Sequence, residues 1–343
     1  MAVVYVGLSG GVDSSVTAAL LLEAGHDVVG VYMKNWTQDL PGMKCPWAED
    51  LADAKRIAVQ LDIPFKVYDF EQQYRDVVVG YMVEEYTLGR TPNPDIMCNQ
   101  EIKFKLFMEA ALRDGAEMIA TGHYARTRNG RLFTAKDTAK DQTYFLYRVT
   151  HEALKRTLFP LGDLLKSEVR KIAQRKKLIT AQKKDSQGIC FVGSVGIKEF
   201  LMQYTSPKPG PVIDRESHET IGYHEGALLY TIGQRHGLGL GGGLPYYVVD
   251  KDMATNTVVV SRNLNDTAMW RPSFGLRAIH WIDRDPATDD ALEVRLRHRG
   301  QRIPATLQGD KVLLEHAERA IAPGQSAVVY CKDEVLGGGI ISD

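Results

Sequence analysis

The 343-residue chain carries 42 Lys and Arg against 43 Asp and Glu, a formal net charge of −1, with 25% charged and 44% hydrophobic residues. This length predicts two or three domains with real cores, and this composition excludes a disordered or collagen-like chain. The longest apolar runs fall far below the ~18 residues of a membrane span. Four scattered cysteines (Cys45, Cys98, Cys190, Cys331) without a CxxC pair exclude a disulfide scaffold and argue against structural zinc. The first residues read as a buried strand with no basic leader, so a soluble, reduced, cytoplasmic protein with no membrane contact is expected.

Residues 2–6 form an apolar run that ends in Gly-Leu-Ser-Gly-Gly, and helical spacing follows through Val16, Ala19 and Leu20. A second strand is predicted at 27–33, then a helix over 48–61 with Leu51, Ala54, Ala58 and Leu61 on one face. A third strand is expected at 65–69, helices over 70–86 and 100–113, and a strand at 117–121. Apolar strands alternating with amphipathic helices predict an α/β domain built on a parallel sheet covered on both faces. Arg128-Asn129-Gly130-Arg131 reads as a tight hairpin turn inside that domain. Past residue 194 the texture changes: Pro207, Pro209, Gly210 and Pro211 mark a linker or turn, and short strands follow at 246–249 and 257–260. From 268 onward alternating β segments, such as 292–296 and 327–330, predict a small barrel. The expected division is thus an α/β domain at 1–194, a small central domain at 195–267 and a C-terminal β-barrel at 268–343.

The near-zero total charge hides an asymmetry. Residues 1–100 hold 14 acids and 7 bases, and 148–184 hold 11 bases and 3 acids, so the two segments carry −7 and +8. The second segment reads either as a landing strip for a polyanion or as a solvated helix face.

Ser9-Gly10-Gly11-Val12-Asp13-Ser14-Ser15 lies between the first strand and the first helix. Glycines there let backbone N–H groups close around an anion at a helix N-terminus, and the hydroxyls of Ser9, Ser14 and Ser15 can add hydrogen bonds to phosphate. The Gly-Lys-Ser/Thr ending of a Walker loop is absent, and the string is no GxGxxG fingerprint.

Two cysteines sit in polar, turn-like sequence. Cys98 follows Thr91-Pro92-Asn93-Pro94-Asp95-Ile96-Met97, where two prolines stiffen the approach to the 100–113 helix. A thiol at a helix N-terminus is biased toward thiolate, although the Asp95 charge opposes this. Cys190 lies in Asp185-Ser186-Gln187-Gly188-Ile189-Cys190-Phe191. Either cysteine alone could be an inert, buried small hydrophobe.

The strings SGGVDSS, MKNW (33–36), TPNPDIMCN (91–99), ATGHYAR (120–126), KDQTYFL (140–146), DSQGICF (185–191), TIGQRHGLGLGGG (231–243), RLRHRGQ (295–301) and PGQSAVVY (323–330) run in order along the chain. Together they resemble the bacterial tRNA-specific 2-thiouridylase family, within the PP-loop ATP pyrophosphatase group. The resemblance implies ATP-dependent sulfur transfer to C2 of the wobble uridine of tRNA, with release of AMP and pyrophosphate. It assigns Gly7, Leu8, Ser9, Gly10, Gly11, Val12, Asp13, Ser14, Met33 and Gly122 to ATP, with Mg²⁺ carried by the nucleotide. It makes Cys190 the persulfide carrier and Cys98 the nucleophile, with a transient Cys98–Cys190 disulfide, and it gives Asp95 acid–base help. It places Asn93, Pro94, Asp95, His123, Lys140, Asp141, Gln142, Arg297, His298 and Gln325 against tRNA. It makes 1–194 the ATP pyrophosphatase catalytic domain and 195–267 a tRNA-binding or linker domain. The implied partners are the anticodon stem-loop and a sulfur-relay persulfide donor protein, and a monomer is expected.

Local pattern leaves several of these open. Met33 also reads as a core methionine, and His123 as a loop-holding hydrogen bonder. Arg295, Arg297 and Arg299 alternate as along one strand face, with Arg302 just beyond, for phosphate or for solvent. Other PP-loop ligases adenylate different acceptors without needing two thiols, and a non-catalytic RNA-binding or redox-sensing protein would need no such loop.

Overall fold

The computed structural model describes residues 1–39, 45–185, 196–241, 244–263, 265–287 and 290–342. Its first seven strands are β1 (Val3–Gly7), β2 (Asp27–Lys34), β3 (Phe65–Asp69), β4 (Met118–Ala120), β5 (Ala125–Arg128), β6 (Arg131–Thr134) and β7 (Thr157–Leu158). Five of them form a parallel sheet in the order β3-β2-β1-β4-β7. The strand order reverses direction between β1 and β4, so a crevice opens there at the carboxyl edge of the sheet. Successive residues of β1 point to opposite faces. Val4 and Val6 join one apolar cluster with Val28 and Ala120, while Tyr5 joins another with Val31, Phe107 and Ile119. Burying each such valine contributes about 1.5–3 kcal/mol, which fixes the strand beneath the loop that follows it.

The helix expected over 100–113 begins earlier, at Pro94, and runs to Arg113 with a π-helical stretch at Cys98–Leu106. Asn93 caps it by accepting the Asp95 N–H at 3.2 Å, and Pro94 occupies the first helical position, where a missing N–H costs nothing. Because this helix leads into β4, which is parallel to β1, its N-terminus lies at the carboxyl edge of the sheet.

Beyond the sheet, β8 (Gly210–Asp214), β9 (Thr220–His224), β10 (Tyr247–Asp252) and β11 (Thr257–Ser261) make a second sheet, ordered β10-β11-β8-β9. The last six strands are β12 (Trp270–Trp281), β13 (Leu292–Arg295), β14 (Ile303–Gln308), β15 (Lys311–Arg319), β16 (Ser326–Cys331) and β17 (Glu334–Ile341). They close into a barrel through the β12–β17 pairing. The expected architecture of parallel sheet, small central domain and terminal barrel is therefore present.

Two local expectations are corrected. Asn129 (φ 52°) and Gly130 (φ 76°) do form the tight turn, but the β5–β6 hairpin leaves its own domain and extends the barrel sheet, with Leu132 opposite Val335. The Arg131 guanidinium pairs there with Glu334. The arginine face also fails, because β13 ends at Arg295 and Arg299 is a turn residue with φ 61°. Arg295 turns inward to buried Asp141 at 3.2 Å, and Arg302 stacks 4.1 Å from the Tyr330 ring centre. Of that set, Arg297 and Arg299 are exposed.

Candidate active site

The loop after β1 is held by its own hydroxyls. Ser9 N–H donates to Ser14 Oγ at 3.2 Å, and both Ser14 Oγ and Ser15 Oγ donate to the Gly11 carbonyl, at 3.1 and 2.8 Å. The Ser14 and Ser15 protons are therefore engaged within the loop, and Ser9 is the exposed hydroxyl of the three. Gly11 caps helix Val12–Glu23 with no side-chain hydrogen bond, so the first-turn N–H groups form the anion-facing surface. Gly10 has φ +74°, and a Cβ there would lie 2.4 Å from the Asp50 carbonyl oxygen. Across the crevice, a Cβ on Gly122 would come within 2.9 Å of Ser14 N. Only glycine lets the segment after β4 approach the loop this closely. Met33 lies with its terminal methyl 2.9 Å from where a Gly7 Cβ would stand, and it also packs on the core cluster. This backbone-donor cradle, with glycines on both walls, fits a polyphosphate.

Asp13 is not open to the crevice. Lys166 Nζ reaches both its carboxylate oxygens, at 2.7 and 2.8 Å, and Tyr124 OH donates to it at 3.1 Å. Lys166 also meets Asp185 at 2.9 Å, and Lys140 and Arg170 reach the same carboxylate at 2.7 and 2.6 Å. Burial opposes ionisation of Asp185, but the hydrogen bonds from Lys140 and Lys166 outweigh it and hold the carboxyl down at about 2. Asp50 and Asp53 similarly hold Lys183, at 2.8 and 2.7 Å, and Glu23 pairs with Lys176. Three bases of the 148–184 segment, Lys166, Lys176 and Lys183, are thus paired with acids of the first 100 residues, an outcome neither sequence reading contained.

On helix 94–113, Asp95 and Cys98 are three residues apart and share a face. Cys98 is 1% exposed, in a cluster with Ile96 and Ile102, and it sits in the second turn of the helix rather than in the loop before it. Burial pushes the Asp95 carboxyl above its usual range, with Lys103 pulling the other way. Burial also holds the His123 imidazole well below its usual range, and the Lys103 charge adds to this. Lys103 therefore lies within electrostatic reach of both groups. His123 Nδ1 meets Thr121 Oγ1 at 2.8 Å, and its ring packs 5.7 Å from Phe104. Cys190, and with it the expected Cys98–Cys190 pair, lies outside the described residues.

The expected tRNA contacts fall in two groups. Arg297 is exposed, with Glu318 at 3.8 Å from its guanidinium, and His298 packs 4.6 Å from the Phe145 ring. Lys140, Asp141, Gln142 and Gln325 make close hydrogen bonds within the chain. Lys140 holds Asp185, and the Gln142 side-chain oxygen accepts from Tyr124 N at 2.9 Å. Asp141 is 4% exposed and accepts from Ala135 N at 3.0 Å and Thr143 Oγ1 at 2.9 Å. Gln325 donates to the Thr91 carbonyl at 2.7 Å. Sequence reasoning gave no role to Lys166, Lys103, Tyr124 or Thr91. Lys166 stands 153 residues from Asp13, so no local signal marks the pair.

Three family models match in succession: a tRNA methyl transferase HUP domain over 2–194, a tRNA methyl transferase PRC-barrel domain over 198–262, and an aminomethyltransferase beta-barrel domain over 271–341. Curated relatives match along nearly the whole chain. The tRNA-specific 2-thiouridylase MnmA of Serratia proteamaculans is 45% identical over 354 residues, 98% of this chain and 96% of its own length. Its namesake from Proteus mirabilis is 46% identical, with 98% and 96% covered, and that from Bacillus subtilis is 43% identical, with 99% and 95% covered. With the nucleotide cradle and the helix of Asp95 and Cys98 at one sheet edge, this similarity establishes that the chain belongs to the tRNA-specific 2-thiouridylase family.

Proposed function

We propose that the protein is a tRNA-uridine 2-sulfurtransferase: it uses ATP to replace the C2 oxygen of the wobble uridine with sulfur. The observation that carries this reading is the near-full-length similarity, at 43–46% identity, to enzymes bearing that name. The geometry supports it, since a polyphosphate cradle and a helix bearing Asp95 and Cys98 share the carboxyl edge of one sheet. Residues Gly7 to Ser14 hold the phosphates by backbone N–H groups, Met33 and Gly122 bound the nucleotide from either side, and Mg²⁺ travels with the phosphate oxygens. Adenylation of the uridine C2 oxygen turns a poor leaving group into AMP.

Sulfur arrives on Cys190 as a persulfide, loaded by a persulfide donor protein. The Cys98 thiolate attacks the inner sulfur, the Cys98–Cys190 disulfide forms, and hydrosulfide leaves. Hydrosulfide then adds at C2 and expels AMP, and an external thiol reduces the disulfide. Asp95, with its carboxyl biased toward the protonated form, manages the proton at the base. Arg297 and His298 on the barrel side, with Asn93, Pro94 and His123, meet the anticodon loop. The flipped base enters beside the Asp95 helix. Burial of Cys98 protects the thiol until tRNA arrives. A cytoplasmic monomer accommodates this chemistry, and among the described residues no helix is long and apolar enough to cross a membrane.

Nucleoside mass spectrometry of unmodified tRNA incubated with ATP, Mg²⁺ and a persulfide donor tests the reading. The wild type should form 2-thiouridine only with ATP, and Cys98→Ser and Cys190→Ser should each lose at least about 100-fold of the rate. Full product from both variants would overturn the two-thiol relay, and AMP release without 2-thiouridine would point to a different acceptor.

A further inference from the structure

Thr91 stands immediately before the Pro92-Asn93-Pro94-Asp95 segment and touches all three parts of the chain. Its N–H donates to the Pro323 carbonyl at 2.9 Å, its carbonyl accepts from Gln325 Nε2 at 2.7 Å, and its hydroxyl meets Thr231 Oγ1 at 3.0 Å. Both backbone groups of one residue are thus held by the barrel, and its side chain by the central domain.

The partners are themselves anchored. Gln325 receives Ile341 N–H at 2.8 Å, and Gly324 donates to the Ile341 carbonyl at 3.0 Å, which ties this turn to the end of β17. Thr231 N–H donates to Gln234 Oε1 at 3.0 Å. The fit is close: Gly324 has φ +89°, and a Cβ there would stand 2.7 Å from Thr91 N. One residue upstream, Arg90 is bonded to buried Glu85, which also receives Arg277 of β12. A Cβ on Gly89 would strike Met253, in the turn between β10 and β11, at 2.5 Å. Pro92 and Pro94 then fix two of the φ angles between Thr91 and the first turn of helix 94–113. A displacement at Thr91 is passed along this stiff segment with few torsions to absorb it.

We infer that Thr91 is a positioning residue: it uses the barrel and the central domain to set the helix start that carries Asp95 and Cys98. On this assignment Gln325 acts through the Thr91 carbonyl as part of the same clasp, rather than primarily as a handle for tRNA. The inference rests on the proposed sulfurtransferase reading for its kinetic consequence, but its structural consequence is independent of it. A misplacement of about 1 Å at a reacting group is enough to cost a large rate factor, so the clasp should govern turnover rather than binding.

The test compares Thr91→Val, Thr91→Ser, Thr231→Val and Gln325→Leu with the wild type in the full-length protein. For each, kcat and KM for tRNA thiolation are measured, together with the rate of Cys98 modification by a soluble maleimide in a Cys45→Ser/Cys190→Ser/Cys331→Ser background. Thr91→Val, Thr231→Val and Gln325→Leu should lower kcat by about tenfold with KM for tRNA within twofold of wild type. Thr91→Ser, which keeps the hydroxyl, should restore kcat. The Thr91→Val/Thr231→Val double variant should be no worse than either single one. Cys98 modification should quicken several-fold in the valine and leucine variants. Raised KM with unchanged kcat would overturn the assignment, making these groups tRNA contacts. Unchanged kcat in Thr91→Val would also overturn it, as would Cys98 modification at the wild-type rate in all variants. If the wild type thiolates no tRNA, the functional reading fails, and the Cys98 modification rates alone then decide whether Thr91 positions the helix.

Discussion

Gly122 shows how one missing side chain shapes the nucleotide crevice. A Cβ there would press on Ser14 N at 2.9 Å and the Asp13 carbonyl carbon at 3.0 Å, both backbone atoms that cannot swing away. Gly122→Ala should therefore force the loop and the segment after β4 apart, at an overpacking cost of about 1–3 kcal/mol. ATP-dependent AMP release should fall at least about tenfold while the circular dichroism spectrum stays native. Wild-type AMP release by this variant would remove Gly122 from the crevice. Asp95 and His123 illustrate a second property of these positions: burial pushes both toward their uncharged forms, and the Lys103 charge acts on both. Cys98 is the residue whose character shifts most between sequence and structure. Its polar flanking sequence suggested a loop thiol, yet its position in the second helical turn folds it into the core.

Helix Lys166–Arg175 and the turn carrying Lys140 are joined through Asp185, and this junction makes a pH-dependent contribution to stability. The folded-state carboxyl titrates at about 2, below its ordinary value of 3.8, so the folded protein binds fewer protons than the unfolded chain in that interval. The stabilisation is present above the unfolded value and is lost as pH falls through about 2. Asp185→Asn should lower stability at neutral pH by about 1 kcal/mol after allowance for solvent screening. The gap between the urea midpoints of variant and wild type should narrow from about pH 4 downward. Equal midpoints at pH 7 would show that the ion cluster contributes nothing. At this level the sequence was most legible where periodicity was strong. The strands at 27–33 and 65–69 and the helix over 48–61 lie within a residue or so of their positions in the structure. The early start of helix 94–113 was missed because Pro92 and Pro94 read as loop residues, although Asn93-Pro94 is also a cap followed by a first-turn proline. The destination of the β5–β6 hairpin was beyond any local signal, because its partner strand lies 200 residues downstream.

Across the molecule, the opposed charges of the first 100 residues and of 148–184 meet at three points, where Lys166, Lys176 and Lys183 pair with Asp13, Glu23 and Asp50. The candidate site could be proposed from contiguous strings, whereas the Lys166–Asp13 pair and the Thr91 clasp exist only once separate segments are folded together. The central claim is that ATP activates the uridine C2 oxygen for displacement by sulfur. It is tested most directly by preparing tRNA with heavy oxygen at C2 of the wobble uridine and weighing the AMP released during thiolation. One heavy oxygen in AMP for each sulfur inserted is the result this mechanism predicts. Unlabelled AMP accompanying 2-thiouridine formation would contradict it.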